Sequence, residues 1–297
     1  MVGMGSDLYE RYSSAREIFD EADEILGFSL SRLCFEGPED DLVQTSNVQP
    51  AVLTVSIACL KAAQEISNNS LPPPAFVAGH SLGEYTALVV ANVLSLSDAV
   101  CLVRERGRLM HEAGLKRPGS MLAVIGLDEE SIEEICLSTE TKVSNINSPG
   151  QIVISGAQDK LDEASRLAKI KGARRLIPLK VSGAFHSPLM EPASDGLRNA
   201  IKGFAFQKPS VPIVANVTAQ PLSNPEMIKE ELVSQLLHCV KWQQSVETMV
   251  ASDVTTFVEI GPGKVLTGLI KRISPATQTF NISDAETANQ IVNSLNP

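Results

Sequence analysis

One stretch of the chain combines residue types and spacing suited to covalent chemistry: Gly79-His80-Ser81-Leu82-Gly83, between an apolar run ending at Ala78 and the helix-forming residues 84–90. A glycine–x–serine–x–glycine turn can lift a serine hydroxyl above a sheet as a nucleophile. Small residues also fill ordinary strand-to-helix turns, so the pattern alone leaves both readings open. A serine nucleophile needs a base in reach, most often histidine. His80 adjoins Ser81, but neighbouring side chains in such a turn normally point apart. His111 falls in a polar helix and reads as solvated, and His238 stands near a helix end beside Cys239, where it suits a capping role. His186 lies in "SGAFHSPLM", between a strand and a helix, where a loop can bring it back over the rest of the chain.

Composition narrows the chemistry. A net charge of −10 over 297 residues disfavours a nucleic-acid partner, whose phosphates call for Lys and Arg. No apolar run approaches the length of a membrane span, and "MVGMGSDLYERY" lacks the basic start and apolar core of a signal peptide. The five cysteines, Cys34, Cys59, Cys101, Cys136 and Cys239, are scattered and form no C-x-x-C pair, which argues against a zinc or redox motif and suits a reducing cytoplasm. With four histidines and no clustered ligands, no metal site is expected. Side chains must carry the reaction.

The elements that would position these side chains follow from hydrophobic periodicity. Residues 7–26 read as one amphipathic helix, and 49–66 as a mostly apolar helix with Pro50 in its first turn. A strand over 75–79 follows, then helices near 83–92 and 97–113. From 118 to 180 the order becomes strand, helix, two strands, helix, strand, the β-α-β-β-α-β pattern of a ferredoxin-like unit. A helix near 188–202, a strand in "VPIVANV", helices near 225–238 and 242–251, a strand in "TTFVEI" and a final helix opened by Gly261-Pro262-Gly263 complete the chain. The fold class is α/β: a large domain, 1–117 and 181–297, built on a parallel sheet covered on both faces, with 118–180 inserted as a smaller subdomain.

"GHSLGEYTAL", "RERGRLMHEA", "NSPGQIVISG", "GAFHSPLM" and "EIGPGKVLTGLIKR" occur in this order. Together they resemble the malonyl-CoA:acyl-carrier-protein transacylases of fatty-acid synthesis and the related acyltransferase domains of polyketide synthases, from residue 2 nearly to the C-terminus. The resemblance implies an α/β-hydrolase-like core with a ferredoxin-like insertion and an active site in the gorge between them. It implies a malonyl group carried from malonyl-CoA to the phosphopantetheine thiol of acyl-carrier protein through a malonyl-serine. It assigns Ser81 as nucleophile, His186 as general base, and the backbone carbonyl of Gln235 as the group that orients the imidazole. Arg106 would hold the free carboxylate, because a guanidinium fork binds a carboxylate bidentately. His80 and Phe185 would border the substrate, with Leu82 and Phe185 resembling members that select malonyl over methylmalonyl. The Leu82 N–H would stabilise the oxyanion.

No cofactor is implied beyond the coenzyme A thioester, and a cytoplasmic monomer is expected, or a plastid or mitochondrial matrix protein had a targeting segment been removed. Lys171, Arg174, Arg175, Lys264, Lys271 and Arg272 are candidates for docking the acidic carrier. Relatives begin with a buried strand and a "PGQGSQ" loop that completes the oxyanion hole, whereas this sequence starts at "MVGMG"; reduced activity and stability are therefore expected. A polyketide-type acyltransferase, a truncated form with little or no activity, and a serine esterase or thioesterase are the alternatives.

Overall fold

The computed structural model describes residues 1–295. The N-terminal segment forms two helices where one was expected, α1 (Ser6–Arg11) and α2 (Ser13–Leu26), divided at Tyr12, whose backbone is extended (φ −122°, ψ 125°). α2 buries Ala15, Ile18, Phe19 and Ala22, the three- and four-residue spacing of one helical face, and stops at Gly27 in the left-handed conformation. Two short helices without a strong periodic signal, α3 (Leu30–Glu36) and α4 (Glu39–Leu42), lead into α5 (Thr45–Ile66). α5 starts four residues earlier than expected, so Pro50 lies inside the helix. β1 (Val77–Ala78), α6 (Leu82–Val90) and α7 (Leu96–Lys116) follow, α7 being capped by Ser95 Oγ, which accepts from Asp98 N at 3.0 Å. α5 packs against both α2 and α7.

Next come β2 (Ser120–Ile125), α8 (Glu129–Thr139), β3 (Lys142–Ser148), β4 (Gln151–Gly156), α9 (Gln158–Ile170) and β5 (Arg175–Pro178). The strands form one antiparallel sheet in the order β3-β4-β2-β5, the ferredoxin-like arrangement. Leu122, Val124, Ile152 and Ile154 face Ile132 and Ile135 of α8 and Leu161, Ala164 and Ala168 of α9. The alternate residues Met121, Ala123 and Val153 turn the other way, onto Leu179, Val181 and Phe185. The two-residue period of the strands thus gives this sheet a second apolar face, against the segment that carries His186.

A 3₁₀ turn (Pro188–Met190) precedes α10 (Glu191–Lys202); β6 (Ile213–Val214), the unexpected β7 (Pro221–Leu222), α11 (Pro225–Ser234), α12 (Trp242–Ala251), β8 (Thr256–Ile260) and α13 (Val265–Ile273) follow. α13 is not the last element, because β9 (Gln278–Ile282) and α14 (Ala285–Leu295) come after it. β9 is five residues long and half polar, too weak a pattern to separate from loop. Parallel pairing joins β1 to β6 and β8 to β9, while β7 lies antiparallel on β6. Among the described residues no helix is long and apolar enough to cross a membrane.

Candidate active site

Between β1 and α6 the chain turns so sharply that Ser81 adopts φ 52°, ψ −105°. Such a conformation costs a non-glycine residue about 1–3 kcal/mol and persists only where its surroundings over-determine it. Three side-chain hydrogen bonds do so. Asn216 Oδ1 accepts from Ser81 N at 2.7 Å, Asn216 Nδ2 donates to Gly79 O at 2.7 Å, and Gln235 Nε2 donates to Ser81 O at 3.0 Å. Gly79 admits no side chain, since a Cβ would fall 1.9 Å from the carbonyl carbon of Gly83.

His186 also has a positive φ, 55°, in the loop after β5. Its Nε2 lies 2.8 Å from Ser81 Oγ and its Nδ1 2.6 Å from the backbone oxygen of Gln235. A carbonyl oxygen only accepts, so Nδ1 carries the proton and the Nε2 lone pair faces the serine hydroxyl; the tautomer is assigned from this geometry. Burial lowers the pKa of His186 to about 3, helped by the nearby Arg106 charge, while the bond to Gln235 acts the other way. The imidazole is therefore neutral, as a base must be.

Arg106 enters from α7 and is 1% exposed. Its Nη1 donates to Gln49 Oε1 at 2.7 Å; its Nη2 donates to Gln235 Oε1 at 2.7 Å and to Ser81 Oγ at 3.1 Å. The guanidinium lies over the Tyr85 ring, 5.2 Å from its centroid, and Nε has no hydrogen-bond partner. Among the described residues no carboxylate pairs with it directly, and burial lowers its pKa. A buried cation held by two neutral amides beside a serine hydroxyl can receive an anion.

The remaining expected residues distribute around this centre. Leu82 opens α6, so its N–H belongs to the orphan donors of that helix's first turn. His80 Nε2 lies 2.8 Å from Asn147 Oδ1 on β3, which ties the elbow to the antiparallel sheet, and its ring meets Trp242 at 5.9 Å. Phe185 packs between the large core and the apolar face of that sheet. A cavity of about 400 Å³ reaches His186 between Lys142, Val143, Pro188 and Leu237. A larger one of about 760 Å³, lined by Phe28, Arg32 and Arg104, touches none of these groups. His111 is exposed, and His238 Nδ1 donates to Ser234 O at the end of α11, in keeping with their non-catalytic reading. Arg108 pairs with Glu105 and Glu112, and Arg104 stacks on Phe28.

Four site residues escaped sequence reasoning: Gln49, Glu84, Asn147 and Asn216. Glu84 left a signal, as the one charged residue of an otherwise apolar α6. It is 1% exposed; its Oε1 accepts from Asn216 N at 3.2 Å and its Oε2 accepts from Gln235 Nε2. Burial, then the neighbouring Glu231 carboxylate, raise its pKa well above the usual range. Gln49 sits among the buried apolar residues of α5 and carried a similar hint.

Comparison with known proteins places this geometry. The acyl transferase domain family matches residues 2–292. The malonyl CoA-acyl carrier protein transacylase of Bacillus subtilis (strain 168) is 45% identical over 99% of this chain and 93% of its own. A crystal structure of an acyl carrier protein S-malonyltransferase from Vibrio cholerae superposes with a TM-score of 0.94 at 41% identity, covering 98% of this chain and 95% of that one. A malonyl-transacylase solved in complex with its type II polyketide acyl-carrier protein gives a TM-score of 0.94 at 38% identity, over 99% of this chain and 96% of that one.

Proposed function

Because the chain belongs to the acyl transferase family, we propose that it moves malonyl from malonyl-CoA to the phosphopantetheine thiol of an acyl-carrier protein, in fatty-acid or polyketide synthesis. One observation carries the reading: Ser81 Oγ is shared between a neutral histidine, 2.8 Å away, and a buried guanidinium, 3.1 Å away. The first suits attack on a thioester; the second suits an acyl group that ends in a carboxylate. Acetyl would leave that buried cation without an anion.

As Ser81 Oγ attacks the thioester carbonyl carbon, His186 Nε2 takes its proton and the Gln235 carbonyl steadies the imidazolium through Nδ1–H. The Leu82 N–H, at the positive end of α6, faces the developing oxyanion. Collapse breaks the carbon–sulfur bond, and the proton passes from His186 to the coenzyme A sulfur. The carrier thiol then gives its proton to His186, attacks the malonyl-serine, and the proton returns to Ser81 Oγ. Two thiols, one serine and one histidine balance the cycle, so it requires no cofactor. Arg106 holds the malonyl carboxylate throughout, while His80 and Phe185 line the acyl chamber.

In this reading the gorge runs between the large domain, 1–117 and 181–297, and the inserted subdomain, 118–180. Arg272 of α13 donates to Gln151 at the start of β4, and Arg174 N donates to Ile125 O near the same end of that sheet. Exposed Arg174 and Arg272 thus come from both parts toward one rim, suited to an acidic carrier; Arg175, Lys264 and Lys271 are exposed as well, and Lys171 is already paired with Glu134. A monomer in a reducing cytoplasm suits the five free cysteines.

Intact-mass spectrometry after incubation with malonyl-CoA tests the proposal. A stable malonyl adduct is expected on Ser81 and none on Ser81→Ala. Rapid release of free malonate without carrier would make the protein a hydrolase instead, and absence of any adduct would make it inactive.

A further inference from the structure

The Gln235 side chain joins two buried ionisable groups that do not touch, Glu84 and Arg106. Its Nε2 donates to Glu84 Oε2 and, at 3.0 Å, to Ser81 O; its Oε1 accepts from Arg106 Nη2 at 2.7 Å. An amide has one accepting end and one donating end, so only one of its two orientations satisfies all three neighbours. Turned over, its NH₂ group would face the guanidinium, donor against donor, and its oxygen would face a carboxylate and a carbonyl. Glu84 shares with Ser81 O the task of holding the donating end of the amide, while Arg106 holds the accepting end. Its two oxygens both accept, one from Gln235 and one, at 3.2 Å, from Asn216 N. From α6, directly after the elbow, it thereby reaches both polar clamps of Ser81.

We infer that Glu84 is a positioning residue for the malonyl carboxylate: by fixing the Gln235 amide it aims the Arg106 guanidinium into the acyl chamber. The inference rests on the malonyl-transfer reading. Placing the carboxylate one amide away also has a chemical reason. A direct Glu84–Arg106 ion pair would occupy the fork that the substrate carboxylate must use. The amide supports the guanidinium while leaving its charge available.

A second effect has the opposite sign, which makes the inference sharp. When ionised, Glu84 is an anion near an anion-binding site, so if it acted only through that charge, neutralising it would improve malonyl binding. Glutamine at this position offers one acceptor for two donors, so either Asn216 N–H or the Gln235 amide loses its partner, and the amide is held less firmly against Arg106.

The test compares malonyl-CoA with acetyl-CoA for acylation of Ser81 by the full chain carrying Glu84→Gln or Glu84→Asp, each first shown to be folded by thermal melting. Aspartate keeps the charge but is too short to span both donors. The malonyl-to-acetyl ratio of kcat/KM is expected to fall at least tenfold in Glu84→Gln, chiefly through KM for malonyl-CoA, and at least threefold in Glu84→Asp. A ratio that stays constant or rises in a folded variant overturns the inference. Equal loss with both substrates assigns Glu84 a purely structural role and overturns it too, as does failure of both variants to fold. If the unsubstituted chain does not prefer malonyl at all, the functional reading fails instead, and the two failures are told apart.

Discussion

Arg106 Nη2 and Ser81 Oγ lie 3.1 Å apart, so the cation and the nucleophile share a hydrogen bond before any acyl group arrives. The same nitrogen donates to Gln235 Oε1, and Nη1 is turned to Gln49. Under the malonyl-transfer proposal this arrangement suits an acyl group with a negative end close to the bond being made. Catalytic and specificity groups form one network here, which lets their contributions be separated by substitution.

Arg106→Ala is expected to lower kcat/KM for malonyl-CoA by about 10²-fold to nearly 10⁴-fold and that for acetyl-CoA much less. Losing a charge-assisted pair at a buried site leaves the substrate carboxylate unpaired, an effect of about 3–5 kcal/mol. Parallel loss with both substrates, in steady-state assays with each, would mean that Arg106 serves only the fold.

His186, with a pKa near 3, should keep Ser81 acylation by malonyl-CoA level between about pH 5 and 8. The base works when neutral, so activity is lost only as pH falls through the folded-state value, well below the ordinary histidine range. Stability follows the same sign. The unfolded chain binds the proton first, so this residue's contribution declines as pH drops from about 6.5 toward 3. A stopped-flow pH profile with an acid limb at 6.5 would contradict the shift. The acetyl-CoA profile of Arg106→Ala should move toward higher pH, because the second cause of the shift is removed.

Asn216→Ala removes two clamps of the elbow and leaves the Ser81 N–H and Gly79 carbonyl without their partners. The expected cost is about 1–3 kcal/mol of stability, seen as a lower melting temperature. Acylation should slow with malonyl-CoA and acetyl-CoA alike, since the elbow serves both. Unchanged rates with a lowered melting temperature would show that Ser81 keeps its geometry without Asn216.

Arg174→Glu and Arg272→Glu should each raise KM for the carrier about two- to fivefold, the range of an exposed charge pair worth up to ~1 kcal/mol, while leaving the malonyl-serine step unchanged. The effect should fade as salt rises. Carrier kinetics at low and high salt check this, and a loss confined to malonyl-CoA would place the carrier elsewhere.

Local order determined much of what could be read without coordinates. The turn at Ser81 is visible because a strand, two glycines and a helix must follow one another within a few residues. The β2–β5 unit is visible because strand and helix periods differ and alternate cleanly there. The α12 boundaries also match their expectation, since an apolar stripe records which side of a helix is buried. Where periodicity was weak, as in α3, β7 and β9, or where a single extended residue such as Tyr12 cuts a continuous stripe, local reading failed.

Tertiary structure alone decided which polar atoms meet. Ser81, Arg106, His186, Asn216 and Gln235 come from five separate segments, and no periodicity encodes their distances. Gln235 contributes a backbone carbonyl to His186 and a side-chain amide to Arg106, Ser81 and Glu84. The first of these uses an atom that every residue possesses, so only the fold can select it. Buried polar groups must find partners, and the choice of partner depends on packing around them, a property of the folded chain that its one-dimensional pattern does not carry.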